Sequence, residues 1–252
     1  MPWIKSSLIA LLCCAACASV AQPSSVAVAA NLKETFTAIQ AAFQASGKPE
    51  MKVIYGSSGN FTSQILNGAP FNLFISADEA FPLELFKNGK TVDAGKVYAI
   101  GKIAIIASRS SGMELIDTKE SLANAIAKAN KVAIAKPELA PYGKAAITYL
   151  KAAGLWGLAK DKLVYGDNIA MATMFVTTGA ADLGFTALSL AKSPEVAKHT
   201  RYVLVSDTLY EPIRQRMVLM KNPPSDAVAL YQFMQSPKAQ EILKSAGYTL
   251  EP

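Results

Sequence analysis

Asn72-Leu73-Phe74-Ile75-Ser76-Ala77-Asp78 reads as a short buried strand, Leu73 to Ile75, that breaks into a small polar corner. Alone it is an ordinary strand-to-helix junction. Similar corners occur at Asn31, at Gly56-Ser57-Ser58-Gly59, at Pro141-Tyr142-Gly143 and at Asp167-Asn168. Most place hydroxyls, amides or free backbone N–H groups at the start of a helical pattern. A site assembled from such corners binds an anion without a formal positive charge.

The segments around these corners alternate in type. Val26 to Ala30 is a small-residue strand ended by Asn31, a residue suited to an N-cap. Leu32, Phe36, Ile39 and Phe43 then mark one face of a helix that runs to Ser46-Gly47. Lys52 to Tyr55 is the next strand, Phe61 and Ile65 a short helix, and Leu73 to Ile75 the third strand. Strand–helix units in quick succession predict a parallel sheet with right-handed crossovers. The logic restarts further on, with strands at Val132–Ala135, Leu163–Tyr165 and Leu183–Thr186, and helices from Gly143 and from Ile169. The runs Tyr98 to Ser108 and Ile213 to Met220 are long enough to cross between two bodies. The expected fold is therefore α/β and two-lobed, with two hinge-crossing strands. Lobe I takes residues 22–103 plus 213–252 and lobe II residues 104–212, and a ligand would sit between them at the carboxyl ends of the strands.

Composition fits this reading. Of 252 residues, 51% are hydrophobic and 17% charged, which excludes a disordered chain. Lys5, the apolar run Leu8 to Ala16 and Ser19-Val20-Ala21 read as a signal peptide, residues 1–21, cut after Ala21. A short N-terminal anchor is one alternative. Lipid attachment is another, although Cys17 follows Cys14-Ala15-Ala16, a poor match for that modification. Cys13, Cys14 and Cys17 all leave with the signal, and so does Lys5, taking the formal charge from +6 to +5. The remaining basic residues are scattered, which is not a nucleic-acid footprint. One histidine, His199, and no mature cysteine argue against a transition-metal cation site. Asp78 and Glu79 read as caps of the following turn, and Lys144 as a surface residue.

These residues together resemble the periplasmic molybdate-binding proteins that serve ABC transporters. The similarity spans essentially the whole mature chain. It is most specific at residues 72–78 and at Ser236-Pro237-Lys238-Ala239-Gln240-Glu241-Ile242-Leu243, and Ala29-Ala30-Asn31-Leu32 and Gly56-Ser57-Ser58-Gly59 fit as well. The resemblance implies a periplasmic-binding-protein fold of the Venus-flytrap type II. It implies a monomeric receptor in the periplasm, not an enzyme and without a cofactor, that binds molybdate and tungstate and delivers them to a membrane permease. Residue by residue it implies a donor at Asn31, a hydroxyl and N–H at Ser58, a backbone N–H at Tyr142 in the loop after Pro137-Glu138, and another at Ile169. The metal is thus held only as its oxyanion, with no direct cation ligand. A tyrosine that some members carry late in lobe II falls at Ala187 here, which leaves Tyr142 to supply backbone contacts or a substitute hydroxyl. A receptor for sulfate or phosphate and an enzyme of similar architecture are the alternatives. A pocket of neutral donors predicts affinity that is nearly constant from pH 6 to 8, because amides and hydroxyls do not titrate there.

Overall fold

A computed structural model describes residues 23–251; the expected signal segment 1–21 lies outside them. The chain begins with β1 (Ser25–Ala29), a 3-10 turn over Ala30–Leu32 and α1 (Lys33–Ala45). Leu32, Phe36, Ile39 and Phe43 form the buried face of this helix, all fully inaccessible to solvent. Gly47 ends it with φ +79°, a conformation that favours glycine. β2 (Lys52–Gly56), α2 (Ser58–Leu66), β3 (Leu73–Ile75), α3 (Ala80–Lys87) and β4 (Lys96–Gly101) follow. The first sheet has the order β2-β1-β3-β10-β4. β1, β2 and β3 run parallel, while β10 (Ile213–Leu219) is antiparallel to both β3 and β4, so the sheet is mixed rather than purely parallel.

The second sheet repeats this plan with the order β7-β6-β8-β5-β9. It comprises β5 (Ile103–Ser108), β6 (Val132–Ala135), β7 (Leu163–Gly166), β8 (Leu183–Ala187) and β9 (Thr200–Leu204). β6, β7 and β8 are parallel, and β5 enters antiparallel. Its helices are α4 (Lys119–Lys128), α5 (Pro141–Ala152), α6 (Trp156–Ala159), α7 (Ile169–Thr177), α8 (Leu188–Ala191) and α9 (Pro194–His199). α10 (Ser225–Phe233) and α11 (Pro237–Ser245) close the chain against the first sheet. Among the described residues no helix is long and apolar enough to cross a membrane.

The run Tyr98 to Ser108 divides at Lys102, with β4 in one sheet and β5 in the other, so this crossing lies where the apolar run placed it. The second crossing differs in detail. β10 pairs along its length with β3 and β4, and the chain passes between sheets just before it, over residues 205–212. Glu79 anchors β10 to the β3–α3 corner: it accepts from Arg214 Nε at 2.6 Å and from Arg216 Nη2 at 2.5 Å. Arg216 also donates to the Ala94 and Gly95 carbonyls. Burial would raise the Glu79 carboxyl, but the two arginines outweigh it and hold the group below the ordinary glutamate range. Glu79 therefore ties β10 to the corner that follows β3 rather than capping α3 with its side chain.

Candidate anion site between the lobes

The carboxyl ends of β1, β2 and β3 face those of β6 and β7, and the corners that follow them enclose a small cavity of about 10 Å³. Room on that scale, about one water's worth, excludes an organic ligand. Its lining includes Asn31, Ser57, Ser58, Ala77, Tyr142, Asn168 and Ile169, with small residues between them. No residue of the lining carries a charge. The four positions singled out from the sequence thus come together from both lobes, Asn31 and Ser58 on one side and Tyr142 and Ile169 on the other.

Three helices point their N-termini here, which brings unpaired N–H groups and the positive ends of their dipoles. Several first-turn N–H groups are already taken: Gly59 donates to Leu139 O at 2.9 Å, Gly143 to Ala140 O at 2.9 Å, and Met171 to Asn168 Oδ1 at 3.0 Å. Among the described residues those of Ser58, Tyr142 and Ile169 find no protein acceptor. Asn168 caps α7, its Oδ1 accepting from Met171 N. Pro141 occupies the first turn of α5, where its missing N–H costs nothing.

Ser58 is 1% exposed, and its Oγ accepts the Ala77 N–H at 3.0 Å. With that lone pair engaged, the hydroxyl proton is the part left to offer to a ligand. Ser57 stands beside it, 4% exposed, and its Oγ has no hydrogen-bond partner. Among the described residues three buried side-chain polar atoms lack partners, and two of them, Ser57 Oγ and Asn31 Oδ1, belong to this cavity lining. Each such orphan costs about 1–3 kcal/mol, so their concentration here marks a place built for a polar guest. Ser57 was part of the Gly-Ser-Ser-Gly corner but was not singled out, because adjacent serines at a turn look alike in sequence.

Asn31 does not cap a helix, since the preceding 3-10 turn makes Leu32 the N-cap of α1. Its Nδ2 donates instead to Gln215 Oε1 at 3.0 Å and to the Tyr248 hydroxyl at 2.8 Å. Tyr142 is 1% exposed, and its hydroxyl reaches across the lobes to accept from Gln215 Nε2 at 2.9 Å. Burial pushes the hydroxyls of Tyr98, Tyr142 and Tyr248 up, so all three keep their protons at any ordinary pH. Ala187 is fully buried at the end of β8. Gln215 went unnoticed in the sequence, yet a signal was present. Strand alternation puts Ile213, Gln215 and Met217 on one face, so an amide sits where an apolar side chain belongs.

Charges stand just outside the lining. Lys136 pairs with Asp167 at 2.6 Å on the lobe II rim, which removes a bare carboxylate from beside Asn168. Lys144 lines a neighbouring groove with Asp78. The Asp78 carboxyl accepts from Ser76 Oγ at 3.0 Å and from Phe81 N at 3.3 Å, so it braces its own turn. Burial pushes it up from 3.8 to about 6, against the pull of Ser76, Phe81 and Lys144. The stability linked to this raised value is complete below the unfolded value near 3.8 and is lost as pH rises through about 6. Asp78→Asn is therefore expected to raise the melting temperature at pH 7.5, by the equivalent of about 1–2 kcal/mol once solvent screening is allowed for. The gain should vanish near pH 4. Thermal melts at the two pH values check this, and an equal or lower melting temperature at pH 7.5 would contradict it.

Comparison with known proteins follows the same lines. Residues 25–249 match the family model described as bacterial extracellular solute-binding protein. The chain is 39% identical over 244 residues to a molybdate-binding protein of Azotobacter vinelandii, covering 94% of this chain and 93% of that one. A second molybdate-binding protein, from Rhodobacter capsulatus, is 36% identical over 230 residues, covering 89% and 87%. The solved structure of an Azotobacter vinelandii periplasmic molybdate-binding protein superposes with a TM-score of 0.80 at 32% identity, covering 91% of this chain and all of that one. The chain belongs to the bacterial extracellular solute-binding proteins, in the family of the periplasmic molybdate-binding proteins.

Proposed function

We propose that this protein binds molybdate, and tungstate with it, in the cavity between its lobes and delivers it to the membrane permease of an ABC transporter. The ligands are the Asn31 side chain, the Ser58 hydroxyl and N–H, and the backbone N–H groups of Tyr142 and Ile169, with no direct contact to the metal. The protein acts as a monomeric periplasmic receptor, not an enzyme. Lobe I, residues 22–103 with 213–252, and lobe II, residues 104–212, close on the anion about the crossings at Lys102 and at 205–212.

One observation carries this reading: a small cavity lined by neutral groups only, into which three helix N-termini converge. Molybdate is a tetrahedral dianion, fully deprotonated near neutral pH, and asks only for donors. Monohydrogen phosphate brings a proton that needs an acceptor, and leaving it unmet costs about 1–3 kcal/mol. Sulfate matches molybdate in charge and shape but is smaller. A thermal-shift panel over molybdate, tungstate, sulfate and phosphate tests the proposal. Molybdate and tungstate should raise the melting temperature by several degrees, as ligands that bind only the folded state do. A shift with phosphate or sulfate alone would refute it.

A further inference from the structure

Gln215 is a fully buried amide in an otherwise apolar strand face. β4 and β10 change register there: Gln215 pairs with Ala99 but Arg216 with Val97, which leaves Tyr98 as the extra residue of a bulge. Bulges re-aim side chains beside functional sites. This one brings the Tyr98 hydroxyl within 2.7 Å of both Gln215 Oε1 and the Ser76 carbonyl. Gln215 thereby touches Asn31, Tyr98 and Tyr142 at once. A Cβ at Gly101 would collide with the Tyr142 hydroxyl and the Gln215 amide, so β4 ends in glycine where the cluster needs room.

Asn31 faces this cluster with both hydrogens of Nδ2 committed, to Gln215 Oε1 and to Tyr248, and with Oδ1 unpartnered. In that orientation it has only an acceptor left for an anion. The two ends of a side-chain amide have the same shape, and the hydrogen-bond network decides which end faces which neighbour. Turning Asn31 alone would set its Oδ1 against Gln215 Oε1, acceptor to acceptor. Turning both closes every bond: Gln215 Nε2 donates to Asn31 Oδ1 and to the Tyr98 oxygen, Tyr98 donates to Ser76 O, Tyr142 donates to Gln215 Oε1, and Tyr248 donates to Asn31 Oδ1. Ser189 Oγ keeps its bond to Asn31 O at 2.8 Å. Both Nδ2 hydrogens of Asn31 are then released toward the cavity.

We propose that Gln215 is the positioning residue that turns the Asn31 amide toward the anion, and that the pair thereby sets the preference for a fully deprotonated oxyanion. This inference rests on the functional reading above. It uses Asn31 as the donor and assigns its control to a residue 184 positions away in the chain.

Calorimetry with sodium molybdate on the mature chain tests it, through Asn31→Ala, Gln215→Met and the double variant. If Gln215 acts through Asn31, each single change lowers affinity by about tenfold or more, and the double variant falls no more than about threefold below Asn31→Ala. Losses that multiply would overturn the proposal. Gln215→Glu gives a second reading should the methionine variant fail to fold. A carboxylate replaces the donating end of the amide with a second acceptor and carries no hydrogen, so it holds Asn31 Nδ2 toward itself and leaves Oδ1 toward the cavity. The ratio of molybdate to monohydrogen phosphate affinity should then fall by about tenfold or more. A purely structural role would weaken both anions alike, and an unchanged ratio would overturn the proposal. Failure of the wild-type protein to bind molybdate would instead overturn the functional reading itself.

Discussion

Replacing Gly59 with valine is expected to lower molybdate affinity by about 100-fold or more while leaving the fold intact. Gly59 lies in the first turn of α2, next to Ser58, and its N–H donates to Leu139 O on the opposite lobe at 2.9 Å. A Cβ at this position would meet Leu139 Cα at 3.0 Å, Leu139 O at 3.1 Å and Phe81 Cζ at 3.0 Å. The phenyl ring can swing aside within its own lobe, but the Leu139 backbone cannot, and valine adds two methyl groups beyond Cβ. The side chain would wedge the lobes apart. Donors from one lobe would no longer reach an anion held by the other. Losing two hydrogen bonds to a charged partner, at about 1.5–3 kcal/mol each, removes two to four powers of ten. Helical backbone at Gly59 admits valine, so melting without ligand should change by less than about 1 kcal/mol. Calorimetry gives the affinity, and small-angle scattering should show wild type, but not the variant, compact in saturating molybdate. Binding by the variant at wild-type strength would mean that the Gly59–Leu139 approach plays no part in closure.

Ser58→Ala should weaken binding by about 10- to 100-fold, the worth of one hydroxyl donated to a buried dianion, about 1.5–3 kcal/mol. The Ser58 N–H would remain, so affinity should fall without vanishing. The change also strips the buried Ala77 N–H of its acceptor, with an expected stability loss of about 1–2 kcal/mol. Calorimetry and thermal melts separate the two effects. Unchanged affinity would remove Ser58 from the site.

Much of this architecture was legible because its determinants are local. The face Leu32-Phe36-Ile39-Phe43, the cap at Asn168 and the apolar run through Lys102 each announce themselves within a few residues. The corners that carry the cavity were legible for the same reason. What escaped depends on distant partners. Asn31 looks like a helix cap, and only Gln215 and Tyr248, 184 and 217 positions away, draw its amide elsewhere. Glu79 looks like half of an acidic cap until Arg214 and Arg216 reach it from β10. The short helices α6, α8 and α9 have four, four and six residues, too few for periodicity to register. The antiparallel entry of β5 and β10 follows from the path of the chain between sheets, which no window of sequence contains.

The central claim is that a neutral cavity, with Asn31 turned to donate, selects a deprotonated oxyanion. The most direct test is competition calorimetry on residues 22–252, titrating molybdate from pH 7 to 8.5 with and without phosphate. The lining has no group that titrates in this range, and Asp78 is already ionised. Molybdate affinity should therefore be nearly constant, and an equal concentration of phosphate should leave most of the molybdate bound, because one unmet proton costs phosphate about 1–3 kcal/mol. Displacement of molybdate by phosphate at comparable concentration would contradict the account.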